Sequence, residues 1–248
     1  MIPEIVTNHL GLIALSGILL GLDKGGLKPL SVLAMYFILK VFEPAMMLSI
    51  FAPLLLVGEL YPAYYYRKSA NRPVSNKLLV WMLVGLVLGT LVGTHINQAI
   101  FCILIGIFVI AMGVINIILE RKEIKIKPTI AIIGILGSLA GFGSIIGNAA
   151  GGITNIYFLS QTKNKRELLG SSSYLYIIVN SAKLLLYIFI WKIFSTDTIV
   201  ITISLVPFLL IGVILATAII KIMPEVVFKA IFYFSVFYAG LSLLIGNL

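Results

Sequence analysis

The chain has 248 residues, 60% of them hydrophobic and only 11% charged, with a mean hydropathy of +1.14. A soluble domain carries roughly a quarter of its residues as charged side chains, so this composition excludes one and defines an integral membrane protein. The formal charge of +9 does not point to nucleic acid, because the cationic residues cluster in short connections between hydrophobic blocks, as orientation in a membrane requires.

Eight hydrophobic blocks follow one another, at about 5–40, 45–66, 78–94, 99–119, 129–161, 168–191, 198–220 and 226–246. Six have the length of ordinary spanning helices, near the ~20 residues that cross a bilayer. The first and fifth are too long for one crossing and too short for two, and each is interrupted near its middle by glycines. No basic residue precedes Lys24, so the charged n-region of a cleaved signal peptide is missing and none is expected.

In the first block the interruption reads GLDKGGLKPL, Gly21 to Leu30; in the fifth it reads GNAAGG, Gly147 to Gly152. GLDKGG and GNAAGG share the pattern G-x-x-x-G-G, and upstream GILLG (Gly17–Gly21) resembles GSLAG (Gly137–Gly141). Glycine-interrupted segments at corresponding places in two halves are the sequence mark of a secondary transporter's site. The expected architecture is all-α: two inverted repeats, residues 1–119 and 129–248, joined by a cytoplasmic linker at 120–128. Each repeat holds one glycine-broken, re-entrant segment and three transmembrane helices.

Charge supports that parity. The connections RKSANRPVSNK, ERKEIKIKP, SQTKNKRE and KIMPEVVFK hold 13 of the 18 Lys and Arg residues. They fall on one side, the cytoplasmic one, only if the broken blocks return to the side they came from. Both termini are then expected outside. Charge leaves the depth open: the first arm, Ile5 to Leu22, spans about 27 Å as helix, enough to cross by itself.

A helix starting afresh inside the membrane presents unpaired N–H groups and the positive end of its dipole, to which an anion can come close where glycines stand. Second arms starting near Gly25–Gly26 and Gly151–Gly152 are expected to aim two such ends at the bilayer middle. Lys24 and Lys28 add charge at the first; Gly143, Ser144, Asn148, Thr154 and Asn155 surround the second. The competing reading is that the glycines serve close helix packing. Asp23 is read either as a coupling group or as a partner that holds the turn.

Aligning EPAMMLS (Glu43–Ser49) with ELLGSSS (Glu167–Ser173) gives an offset of 124 residues, which places Glu59 opposite Lys183. Ionisable side chains inside hydrophobic blocks are paired or functional; these two are expected to meet or to face one cavity, with an interfacial position for Glu59 as the alternative. Asn180, Ser181 and GSSS (Gly170–Ser173) line a polar path or bond between helices. YPAYYY reads as an interfacial aromatic belt, and Pro53 and Pro207 as helix kinks.

Catalytic motifs are missing. Cys102 is the one cysteine, His9 and His95 are isolated, and there is no HExxH, nucleophile elbow or Walker A motif. The chain is expected to be no enzyme, to bind no metal or cofactor, and to run without ATP.

KGG with its following proline, PLLLVGELYPAYYYRK, and above all GSLAGFGSIIGNAAGGITNIYFLSQTKNKRELLGSSSYLYIIVNSAKLLLYIF resemble the TauE/SafE, or sulfite exporter, family of membrane permeases. The likeness runs from about Gly11 to the last helix. It implies a multi-pass permease of a bacterial or archaeal cytoplasmic membrane, moving sulfite, sulfoacetate or related organosulfonates. Carried over by position, the family's signatures fall on Lys24–Gly26 and Gly141–Gly152, and its acidic position on Glu59. The expected binding set is Lys24, Gly25, Gly26, Lys28, Gly143, Ser144, Asn148, Gly151, Gly152, Asn155 and Lys183, with Asp23 and Glu59 as coupling or ion-pair groups. The expected partners are the small sulfur anion and the bilayer, with no nucleic acid; protons and a second copy of the chain are left open. The alternatives are a proton-coupled importer of another sulfur compound, such as thiosulfate, and a small-anion channel.

Overall fold

A computed structural model describes residues 8–27, 30–93, 98–121, 129–148 and 150–245. The described residues form α1 (Leu10–Lys24), α2 (Leu30–Leu39), α3 (Pro44–Tyr65), α4 (Arg72–Gly93), α5 (Gln98–Arg121), α6 (Ile130–Gly147), α7 (Gly151–Gln161), α8 (Lys165–Leu186), α9 (Thr196–Ile222) and α10 (Glu225–Ile245). The first block is thus α1 and α2, and the fifth is α6 and α7; both interruptions are real. Among the described residues five helices are long and apolar enough to cross a membrane: α3, α4, α6, α8 with its π-helical extension to Trp191, and α9.

Polar residues fix the helix starts. Thr129 accepts from the Ile132 N–H at 3.3 Å, Asn164 from the Glu167 N–H at 2.9 Å, and Ser195 and Thr198 form a reciprocal capping box. Apolar side chains on the outer faces, such as Val87, Ile107, Ile203 and Ile214, are exposed, as they are when lipid rather than water surrounds the helix.

Two close helix crossings organise the molecule, and each joins the first arm of a broken block to a helix of the other half. Along α1, Gly17 lies against Leu205 and Phe208, Gly21 against Leu209 and Gly212, and Gly25 against Val213 and Ala216 of α9. Along α4, Gly85 meets Ser138 and Phe142, and Gly89 meets Phe142 and Ile145 of α6. In both pairs the residue numbers rise together, so the helices run parallel. A methyl on Gly21 would sit 2.0 Å from the Leu209 carbonyl oxygen, and one on Gly141 2.0 Å from that of Met82. Only glycine permits backbones this close, the small-residue packing usual in membranes. GILLG and GSLAG are therefore packing motifs, and Gly21 is not part of the interruption.

α3 and α8 pack on each other at the centre, and α5 packs on α10. α3 is the most enclosed span, with 61% of its apolar window buried. At one end α8 is tied by polar bonds to the start of α4 and to the residue before it. Asn71 donates its N–H to Ser171 Oγ at 2.8 Å and its amide Nδ2 to Glu167 Oε1 at 2.8 Å, and Ser75 Oγ donates to the Ser171 carbonyl at 2.9 Å. The connections around 67–77 and 160–167 therefore lie at the same end of the molecule.

Candidate functional site

Residues Leu22 to Leu27 close α1 in a Schellman motif. The Leu27 N–H bonds to the Leu22 carbonyl at 3.0 Å and the Gly26 N–H to that of Asp23 at 3.0 Å, with Gly26 at φ 120°. The Gly25 N–H bonds back to the Gly21 carbonyl at 2.8 Å. This corrects the sequence expectation: Gly25 and Gly26 end the first arm and do not begin the second, and their N–H groups are committed to α1. Gly25 also packs on Ala216. α2 begins at Leu30; Lys28 lies outside the described residues.

Asp23 holds that second start. Its Oδ1 accepts from the Ser31 N–H at 3.1 Å and the Ser31 hydroxyl at 3.0 Å. A carboxylate at a helix N-terminus is favoured by the exposed N–H groups and the dipole. At the first break, one place an anion would take is thus held by the chain's own carboxylate.

Lys24, the last residue of α1, donates to Glu59 Oε1 of α3 at 2.5 Å, and both side chains are under a tenth exposed. Gly58 makes room for the lysine stem, since a methyl there would lie 2.7 Å from Lys24 Cγ. Glu59 is therefore enclosed by protein, 3% exposed.

The second break is built differently. α6 ends at Gly147, and Asn148 turns the chain in the left-handed region at φ 53°, its N–H returning to the Ser144 carbonyl at 3.2 Å. α7 starts at Gly151, as expected. The N–H groups of its first turn have no partner within the helix, and the space where a side chain on Gly151 would stand is open for 4 Å.

Lys183 of α8 reaches this turn. It is wholly buried, and its ammonium donates to Asn148 Oδ1 and, at 3.5 Å, to the Ser144 carbonyl. No carboxylate lies within ion-pair distance of it among the described residues. The Nδ2 groups of Asn148 and Asn180 are buried without an acceptor. Asn180 stands one turn before Lys183 and one turn after Tyr176, on one stripe of α8.

Tyr176 links the two breaks. Its ring centroid lies 5.3 Å from Lys24 Nζ, and its hydroxyl bonds to Thr154 in the first turn of α7. Through this one side chain the end of α1 and the start of α7 meet at α8. Glu59 and Lys183 do not pair with each other; each serves the break of its own half.

The remaining expected residues divide. Ser144 contributes its carbonyl. Gly143 packs against the Phe108 ring, where a methyl would sit 2.2 Å from Cε1. Gly152 and Asn155 are half-buried on α7, and no bond of theirs bears on the cluster. Tyr176 is not among the expected residues; its signal is the spacing Tyr176, Asn180, Lys183, which puts three polar residues on one helical stripe of an apolar block.

The fold defines a multi-pass helical membrane protein, whose two interrupted helices bring buried cations and unpaired donors together. The chain belongs to the TauE/SafE sulfite exporter family: the family model described as "Sulfite exporter TauE/SafE" matches residues 10–243. No curated protein and no solved structure matches the chain.

Proposed function

We propose that the chain is a secondary permease carrying small sulfur-containing anions, such as sulfite or organosulfonates, across the cytoplasmic membrane by alternating access. Residues 1–119 and 129–248 act as inverted repeats, with the termini outside and the linker inside. One observation carries the site: a wholly buried lysine, Lys183, has only neutral partners beside two unpaired amide donors. A buried ammonium without a counter-ion is costly, and a bound anion removes that cost.

The repeat reading is supported by the parallel crossings of α1 on α9 and α4 on α6, and by the meeting of the connections near Asn71 and Glu167. With the fifth block leaving and rejoining the end that carries Asn71, and the first block leaving and rejoining the opposite end, each half contributes an odd number of crossings, so the halves are opposed. Alternating access then follows from rocking one half against the other around a fixed midplane site. An anion leaving a negative-inside cell gains about 2.3 kcal/mol per 100 mV, so export needs no coupled ion.

The test is flux of labelled sulfite into proteoliposomes, with thiosulfate and an organosulfonate as competitors, for wild type, Lys24→Ala and Lys183→Met. Saturable flux lost in Lys183→Met supports the carrier and its site. No flux of any sulfur anion by folded protein rejects the function proposed.

A further inference from the structure

Four side chains of formal charge are enclosed among the described residues: Asp23, Lys24, Glu59 and Lys183. Three are answered inside the protein. Lys24 and Glu59 hold each other, and Asp23 is held by Ser31 at the start of α2. Of the two cations, Lys183 alone lacks a charged partner.

The first half shows what a complete version of this locus contains. Lys24 and Glu59 are 35 residues apart, and so are Asn148 and Lys183. Shifting the first pair by the 124-residue repeat offset gives the second. The contact is the same, between the end of a first arm and the third helix of the half. In the first half one ammonium meets one carboxylate; in the second the ammonium meets an amide, and the negative charge is missing.

We propose that the second break takes one singly charged oxyanion of the sulfonate or hydrogensulfite type in preference to dianions such as sulfate or thiosulfate. Lys183 Nζ and the Nδ2 groups of Asn148 and Asn180 are its donors. The proposal rests on the permease reading above and specifies the charge of its substrate. One ammonium and neutral amides balance a single negative charge. The desolvation penalty of an ion grows with the square of its charge, so a dianion meets about four times the penalty of a monoanion of its size. Lys24 cannot supply the second positive charge, because Glu59 neutralises it at 2.5 Å. All three oxygens of a sulfonate group are acceptors, which suits a site whose unpaired groups are N–H donors.

Proteoliposomes at zero membrane potential, loaded against labelled methanesulfonate, sulfate and thiosulfate, separate the outcomes. Methanesulfonate is expected to be carried with at least tenfold higher kcat/KM than either dianion. Asn148→Asp, which places a carboxylate on Lys183 as Glu59 lies on Lys24, is expected to lower methanesulfonate transport at least tenfold. Glu59→Gln is expected to narrow the preference by releasing Lys24. Should Glu59→Gln not fold, the wild-type preference and Asn148→Asp decide. Lys183-dependent flux that favours dianions overturns the charge assignment and leaves the permease standing. Unchanged methanesulfonate flux in Asn148→Asp overturns the site, and absence of flux for all three anions rejects both readings.

Discussion

The ammonium of Lys183 is bonded to the side chain of Asn148 across the same interval of 35 residues that separates Glu59 from Lys24. One contact thus occurs twice in the molecule, closed by opposite charges in one half and left one charge short in the other. The asymmetry sets the two halves apart in role. The Lys24–Glu59 pair fixes the first break against α3, and Lys183 keeps the second break ready for an anion.

Replacing Lys183 tests that division directly. The side chain is wholly buried without a counter-ion, and an apolar chain of similar volume avoids the desolvation it suffers. Lys183→Met is therefore expected to keep or raise the Tm of the detergent-solubilised protein while losing the rise in Tm that methanesulfonate gives wild type. A variant that unfolds, or that is still stabilised by the anion, rejects the assignment.

The first-half pair behaves oppositely. Removing one member of a buried, hydrogen-bonded ion pair leaves the other uncompensated and costs about 3–5 kcal/mol, whereas removing both is often neutral. Lys24→Met and Glu59→Gln are each expected to lower Tm by several degrees, and the double variant to recover most of the loss. Denaturation of the four proteins completes the cycle; additive losses would mean that the two side chains do not depend on each other.

How much of this is legible in the sequence depends on the interaction concerned. The two broken blocks are readable because glycine interruption and block length are local properties, and the enclosed charges because nothing else explains Lys183 in an apolar run. The roles of the glycines are not. GLDKGG and GNAAGG look alike as strings, yet Gly25 and Gly26 close a helix while Gly151 opens one, since that depends on which carbonyls their N–H groups reach. Pairing is equally hidden: the 124-residue offset places Glu59 opposite Lys183, and only the tertiary approach of α3 to the end of α1, and of the Lys183 side chain to the turn after α6, gives each its own partner. Tyr176 is hard to single out because a tyrosine in a helix is usually packing, and its link to both breaks is tertiary.

Orientation yields a labelling prediction. In a Cys102→Ala background, single cysteines replacing Asn71 and Lys163 are expected to react with impermeant maleimide from the cytoplasmic side alone, and ones replacing Lys40 and Lys192 from the other. The Asn71 and Lys163 positions lie within one bonded cluster, since Glu167 accepts from Asn71 Nδ2 at 2.8 Å and from the Lys163 N–H at 3.0 Å. Opposite-side labelling of Asn71 and Lys163 would mean that the fifth block crosses fully, and the inverted-repeat proposal would fall.

Two glycines, finally, should answer the same substitution in opposite ways. A methyl on Gly141 would lie 2.0 Å from the Met82 carbonyl oxygen and 2.9 Å from the Leu86 nitrogen, both backbone atoms that give way only if α4 and α6 separate. Overpacking of this kind costs about 1–3 kcal/mol, with the upper end expected where backbone is the obstacle. Gly141→Ala should therefore lower Tm by several degrees. A methyl on Gly151 meets nothing within 4 Å, and alanine favours the helix that begins there. Gly151→Ala should hold or raise Tm and yet reduce anion flux, because the methyl occupies the open space beside the unpaired N–H groups of α7. Equal Tm losses would deny the close crossing its structural role, and unaltered flux in Gly151→Ala would move the anion's path away from the start of α7.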